Sequence, residues 1–413
     1  MDLMHLPLFR KIGDVFKHSI LLHFPLITWI THFFNICLFG RTTEKSQVIS
    51  DKSSDNQETT VSEKVEETGA TFTLPDLVSL CKFPLRYHPD GDDVAKESAE
   101  WLDTLCPSLN LRQRNAMYGL QGGVLAAYSY TTGPKDRLRV IADYINYLFH
   151  LDNISDGMLI READELGNVV MNALWYPESY KPTKGQPNEE SIPGKLSRDI
   201  WVRCIRHAGP GAQRRFIETM QEFFEAISLQ AKTRADNSVP DLESYIASRR
   251  DTSACKPCWA LIEYLHDIDL PDFVAEHPLI EALGEAANDL VSWSNDIYSY
   301  NVEQGRGDAV HNLVYVLMHH YGHSLQGAVD HAGEMWKQTM EKFIEDERKL
   351  PSWGPEVDDM VKKYVSGLRD WAVGSLYWSF RSHRYFGTDG QSVMKHRTVK
   401  VISRLQPLFS VEN

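Results

Sequence analysis

The chain has 413 residues, 42% of them hydrophobic, and a formal net charge of −14. That length allows a large core and, on length alone, two domains, while the acidic balance argues against a nucleic-acid partner, which needs a basic face. A polyanionic ligand would have to be met by recruited cations or by a few Arg and Lys concentrated at one spot. The six cysteines are scattered. Their one close pair, Cys255-Lys-Pro-Cys258, follows no βαβ pattern and has no second C-x-x-C to complete a zinc site. Redox and zinc roles are therefore set aside, and a reduced, intracellular chain is expected.

In chain order, the first 70 residues stand apart. Between Lys17 and Arg41 there is no charged residue, and residues 18–40 run through I-L-L-H-F-P-L-I-T-W-I-T-H-F-F-N-I-C-L-F-G. The stretch is long enough to span a bilayer, although His18, His23, Pro25, His32 and Asn35 weaken it. It reads either as a weak membrane anchor or interfacial segment, or as a divergent extension with no part in the chemistry. Residues 41–70 are polar and poor in aromatics, a linker composition. From Phe72 onward, apolar residues recur at helical spacing over 112–130, 136–156, 160–175, 212–233, 279–303, 308–320, 325–348 and 355–382, with prolines as punctuation. Strand-like alternation is nearly absent, and there is no glycine-rich nucleotide loop or internal repeat. The expected architecture is an extension over 1–70 and one all-α catalytic domain over 71–413.

Two acidic segments carry the chemistry. L-D-N-I-S-D places Asp152 and Asp156 four residues apart, and S-N-D-I-Y-S-Y-N-V-E places Asn295, Ser299 and Glu303 at successive steps of four. On a helix each set projects from one face. All five offer oxygen, which suits hard cations such as Mg²⁺. Ile145, Leu148 and Phe149 share the stripe of Asp152 and Asp156, so the apolar inward face runs into the carboxylates, whereas a solvated acidic face would lie opposite it. A lone D-x-x-x-D is common, and Asn-Ser-Glu alone reads equally well as a polar helix edge ending near Gly305 and Gly307. Both in one helical chain make the bland reading the weaker one.

With two further segments, the chain resembles the class I terpene synthases, most closely the sesquiterpene synthases of mushroom-forming fungi. L-D-N-I-S-D resembles the family's aspartate-rich motif, and Asn295, Ser299 and Glu303 its second metal triad. Arg249 in S-R-R-D-T-S-A lies 46 residues before Asn295, at the family's diphosphate-sensing arginine, and Arg384-Tyr385 in S-H-R-Y-F-G matches its diphosphate-binding Arg-Tyr pair. The resemblance spans roughly 72 to 390. It departs at Asn153, where Asp or Glu is usual, at Val302, where some relatives place a Lys that Arg306 could replace, and at Ala254, where Gly is frequent after the short break at Thr252 and Ser253.

The resemblance implies a single α-helical bundle enclosing an apolar cavity. It implies three Mg²⁺ held by Asp152, Asp156, Asn295, Ser299 and Glu303, with Asp156 alternatively pairing with the sensor arginine on closure. Arg249, Arg384 and Tyr385 would bind the diphosphate, and Asp152, Asn295 and Arg249 would be the catalytic residues. The reaction implied is loss of diphosphate from farnesyl diphosphate and cyclisation of the cation among aromatic faces, for which Phe149, Trp293, Trp378 and Phe380 are at hand. The D-N-I-S-D and R-R-D-T-S segments resemble the 1,11-cyclising group that makes protoilludene-like skeletons. An acyclic alcohol such as nerolidol or linalool is the alternative if water enters. A chain-elongating prenyl diphosphate synthase would carry a second Asp-rich motif, which is lacking. Asp90-Gly91-Asp92-Asp93 fits the class II D-x-D-D string but reads as a solvated turn. The non-enzymatic alternative is a membrane-tethered helical scaffold. A monomer or homodimer is expected, cytoplasmic or membrane-associated through residues 18–40.

Overall fold

The computed structural model describes residues 67–155, 159–236 and 238–403. Strand β1 (Glu67–Thr73) opens them and β2 (Thr398–Ile402) closes them. Between the strands the chain is helical: α1 (Leu77–Leu80), α2 (Gly91–Leu105), α3 (Leu111–Leu120), α4 (Gly122–Ser129), α5 (Lys135–Ser155), α6 (Ile160–Trp175), α7 (Ile192–Cys204), α8 (Pro210–Ala235), α9 (Leu242–Thr252), α10 (Cys255–His266), α11 (Asp272–Ala275), α12 (Pro278–Arg306), α13 (Leu313–Tyr321), α14 (Leu325–Arg348), α15 (Pro355–Arg381) and α16 (Gly390–His396).

The long periodic stretches become α5, α6, α8, α12, α14 and α15. The stretch 112–130 divides into α3 and α4 at Gln121, whose φ of 55° breaks the helix. The carbonyls freed there are claimed by Trp378 of α15, whose Nε1 donates to the oxygens of Leu120 at 2.9 Å and Gln121 at 3.1 Å. Asp92 and Asp93 occupy the first turn of α2, where the helix dipole favours negative charge. The D-x-D-D string therefore starts a helix instead of forming a free turn.

α12 is the central element. Proline near its start sets the entry, and Gly307 at φ 88° ends it. Its flanks pack on α14, α15, α9 and α10. Indole N–H groups pin it from two sides: Trp336 donates to the Leu290 carbonyl at 2.8 Å and Trp259 to that of Gly284 at 3.2 Å. α5 packs on α2, α4 and α7, bringing its last turn to the same end of the bundle as the C-terminal half of α12. Cys255 and Cys258 are buried in α10 as free thiols. Burial pushes the Cys255 thiol up to about 11, against redox reactivity.

The one sheet among the described residues is the antiparallel pair β1–β2, registered Thr71 to Lys400, Phe72 to Val399 and Thr73 to Thr398. β1 starts within the stretch expected to be linker. β2 lies on the C-terminal end of α12, where Asn301 Nδ2 donates to the Lys400 carbonyl at 2.8 Å and Gln304 Nε2 to that of Ile402 at 2.7 Å. The chain divides into Met1–Ser62 and Glu63–Asn413. The apolar segment 18–40 lies outside the described residues, and among these no helix is long and apolar enough to cross a membrane.

α16 turns back against the end of α15. A side-chain carbon at Gly390 would collide with the backbone carbonyl of Phe380, so the two helices meet backbone to backbone, with residues 382–389 held between them. Gly390→Ala is expected to cost about 1–3 kcal/mol by prising α16 away. A denaturant midpoint unchanged from the parent would contradict this close approach.

Candidate active site

Four elements bring the sequence-predicted residues together: the last turn of α5, the C-terminal half of α12, α9, and the segment following α15. Asp152 stands one turn beyond Phe149 on α5. Its Oδ2 accepts a hydrogen bond from Arg384 Nη2 at 2.8 Å. The Arg384 guanidinium lies 4.9 Å over the Phe149 ring, and Phe149 in turn stacks on Trp378 at 5.3 Å. Tyr385 closes the circuit to α12, its hydroxyl accepting from Asn295 Nδ2 at 2.6 Å.

The other side of Asn295 faces α9. Arg249 Nη2 donates to Asn295 Oδ1 at 3.0 Å, and its Nε donates to Asp296 Oδ1 at 3.0 Å. Asp296 is 2% exposed and also accepts from the Tyr245 hydroxyl and from the Leu313 backbone N–H, the latter at 3.2 Å. Burial opposes the charge on Arg249, but Asp296 and Tyr245 outweigh it and hold the guanidinium protonated well beyond the ordinary arginine range. Glu303, two turns beyond Asn295, is pushed up to about 7, first by burial and then by Asp296, against hydrogen bonds from Ser299 and Asn312. Asn312 Nδ2 donates to Glu303 Oε2 at 2.9 Å and lies 3.4 Å from Ser299 Oγ.

Asp152, Arg249, Asn295, Ser299, Glu303, Arg384 and Tyr385 therefore share one network. Asp156 lies outside the described residues. Arg306 is exposed and makes none of the hydrogen bonds above. Phe149 stacks on Trp378 beside Asp152, whereas Phe380 lies further along the same aromatic chain, packed on Tyr298 and Phe386 and linked to Trp378 through Tyr385.

The break after Arg249 is present. α9 ends at Thr252, α10 begins at Cys255, and Ala254 between them takes φ 55°. That left-handed conformation is one that glycine adopts freely and alanine only with strain. Ser253 Oγ donates to Asn288 Oδ1 at 2.8 Å, and Asn288 Nδ2 donates back to the Arg250 carbonyl at 2.7 Å, so the break is tied to α12 two turns before Asn295. A cavity of about 130 Å³ opens against Arg249, with Gln230, Tyr245, Ser248, Thr252 and His311 on its walls. Burial, Arg234 and Arg249 push His311 down to about 4, so it is neutral there.

Among the described residues no three His, Cys, Asp or Glu side chains gather as a metal site. The candidate set instead mixes carboxylate, amide and hydroxyl oxygen, a donor chemistry for a hard cation. Two of its oxygens, Asp152 Oδ2 and Asn295 Oδ1, already accept from guanidinium groups. Sequence reasoning missed Tyr245, Asp296 and Asn312. Asp296 was readable only as the acidic neighbour of Asn295, and the other two carry no spacing signal.

Residues 143–342 match the family described as terpene synthase family 2, C-terminal metal binding, a range that includes Asp152 and Glu303 but not Arg384. An α-muurolene synthase from Coprinopsis cinerea is 60% identical over 342 residues, 83% of this chain and 80% of that protein. A Δ6-protoilludene synthase from Stereum hirsutum is 33% identical over 80% of this chain and 87% of its own length. The crystal structure of germacradien-4-ol synthase from Streptomyces citricolor shares the fold, with a TM-score of 0.62 and 22% identity over 72% of this chain and 96% of that one. On this sequence and structural likeness, the chain belongs to the metal-binding terpene synthase family, alongside fungal sesquiterpene synthases.

Proposed function

We propose that this chain is a carbon–oxygen lyase that ionises farnesyl diphosphate with three Mg²⁺ ions, releases diphosphate and cyclises the allylic cation to a sesquiterpene. The observation that carries the reading is a double pairing: Arg384 on Asp152, and Arg249 on Asn295. On this reading the oxygens of Asp152, Asn295, Ser299 and Glu303, together with Asp156, hold the metal, while Arg249, Arg384 and Tyr385 meet the diphosphate. Bound Mg²⁺ neutralises the diphosphate and makes it a competent leaving group. Without ligands, each arginine satisfies an oxygen of the cation set. An arriving diphosphate offers both guanidiniums more highly charged oxygens, freeing Asp152 Oδ2 and Asn295 Oδ1. Trp378 offers a π face to the cation and no lone pair that could quench it, while the Phe149 ring is stacked against it and carries the Arg384 guanidinium. The Trp378 N–H is engaged by two backbone carbonyls, so this ring is fixed in place.

As to product, the relative named for α-muurolene shares 60% identity and the one named for Δ6-protoilludene 33%. A muurolene product is the better supported of the two, and the 1,11-cyclised skeleton suggested by D-N-I-S-D and R-R-D-T-S the weaker.

Incubating the purified chain with Mg²⁺ and farnesyl diphosphate, with gas chromatography–mass spectrometry of the extract, is expected to give diphosphate release and a hydrocarbon fraction containing α-muurolene. No release from any C10, C15 or C20 diphosphate would sink the enzyme reading. Asp152→Asn should lower kcat by about 10²-fold or more. The Asp152 side chain is 45% exposed, so the melting temperature should hardly move. Full turnover in this variant would refute the assignment of Asp152.

Glu303 gives a separate test on metal-free protein. A carboxyl raised to about 7 in the fold stabilises while protonated. That contribution is fully present below the unfolded carboxylate range and is lost as pH rises through about 7. Glu303→Gln keeps the neutral form at every pH. In EDTA it is expected to melt about 2 °C above the parent at pH 8, with the gap narrowing towards pH 5.5. A gap independent of pH would show that burial does not raise this carboxyl.

A further inference from the structure

Asn312 sits outside every motif, yet it is completely buried, at 0% exposure, and each polar atom of its side chain is engaged. Its Oδ1 accepts from the Val314 backbone N–H at 2.9 Å, capping α13. Its Nδ2 donates to Glu303 Oε2 at 2.9 Å and to the Asp296 carbonyl at 2.8 Å, and lies 3.4 Å from Ser299 Oγ. A carboxamide flip would set oxygen against the Glu303 carboxylate and the Asp296 carbonyl, and NH₂ against the Val314 N–H. One orientation therefore satisfies all partners, and the rigid start of α13 fixes it.

We infer that Asn312 is the positioning residue of the α12 metal face: it transmits the fixed start of α13 to the carboxylate of Glu303 and the hydroxyl of Ser299, and so sets the affinity of that face for Mg²⁺. The inference rests on the proposed reading that Ser299 and Glu303 ligate the metal. The chemistry selects Asn at this position. Asp caps a helix equally well but turns an acceptor towards Glu303, and Ser caps without the reach. The competing explanation is that Asn312 only caps α13, and the two explanations part on these two substitutions. Removal of partners that orient metal ligands typically weakens metal binding about 10–100-fold.

The test uses the full chain with Asn312→Asp and Asn312→Ser, and with Glu303→Gln as reference. Mg²⁺ is titrated calorimetrically at fixed inorganic diphosphate, with the protein-free titration subtracted. Melting temperature and the Mg²⁺ dependence of turnover on farnesyl diphosphate are followed in parallel. Both Asn312 variants are expected to raise the half-saturating Mg²⁺ concentration about tenfold. Turnover should recover in excess Mg²⁺, KM for farnesyl diphosphate at saturating Mg²⁺ should stay unchanged, and Asn312→Ser should remain folded. Parent-like Mg²⁺ affinity in both variants while Glu303→Gln weakens it would overturn this inference alone, as would lost turnover that excess Mg²⁺ does not restore. Parent-like Mg²⁺ affinity in Glu303→Gln would instead overturn the ligand reading beneath it.

Discussion

A carboxylate buried in the middle of a helix has to be answered by charge and by N–H or O–H donors, or it will not stay ionised there. Asp296 of α12 is answered from two neighbouring elements: by Arg249 and Tyr245 of α9 and by the first backbone N–H of α13. The pairing fixes the guanidinium of Arg249, and Arg249 fixes the amide oxygen of Asn295. Asn295 then fixes the Tyr385 hydroxyl, beside which Arg384 reaches Asp152. The side chains of α5, α9, α12 and the segment after α15 that meet in the candidate site are thus oriented through one buried charge. Such a charge is costly to bury and more costly to strand, which explains why two side chains of α9 and a backbone N–H of α13 are committed to it.

The same logic explains an apparent contradiction in composition. A chain of net charge −14 that handles a polyanion has to hold its few useful cations in place, and both Arg249 and Arg384 are held by carboxylates. The acidic residues keep the guanidiniums charged and aimed.

What could be read in the sequence follows the range of the interactions. α12 was legible because its apolar stripe persists over many turns between a proline start and a glycine stop, and its three polar residues at steps of four stay in phase with that stripe. Asp152 was legible because Phe149 and Leu148 precede it on the same face. The break between α9 and α10 was legible only through family resemblance, since Ala254 is a residue type that gives no warning of a left-handed turn. Asn312 was invisible because its partners lie across helix junctions and follow no repeat. The β1–β2 pair escaped because each strand is short and its partner lies at the opposite end of the described chain, so no local turn announces it.

That pairing has a consequence for how the molecule is made. β1 is the first described segment to leave the ribosome and β2 the last, and β2 is also what grips Asn301 and Gln304 at the C-terminal end of α12. Contacts of such high sequence separation form late, because the whole intervening loop must close first. During synthesis the bundle can assemble around α12 while the turn that carries Glu303 is still without its brace. The C-terminal turn of α12 is therefore the last part of that helix to be braced, and Glu303 settles after the helices around it have packed.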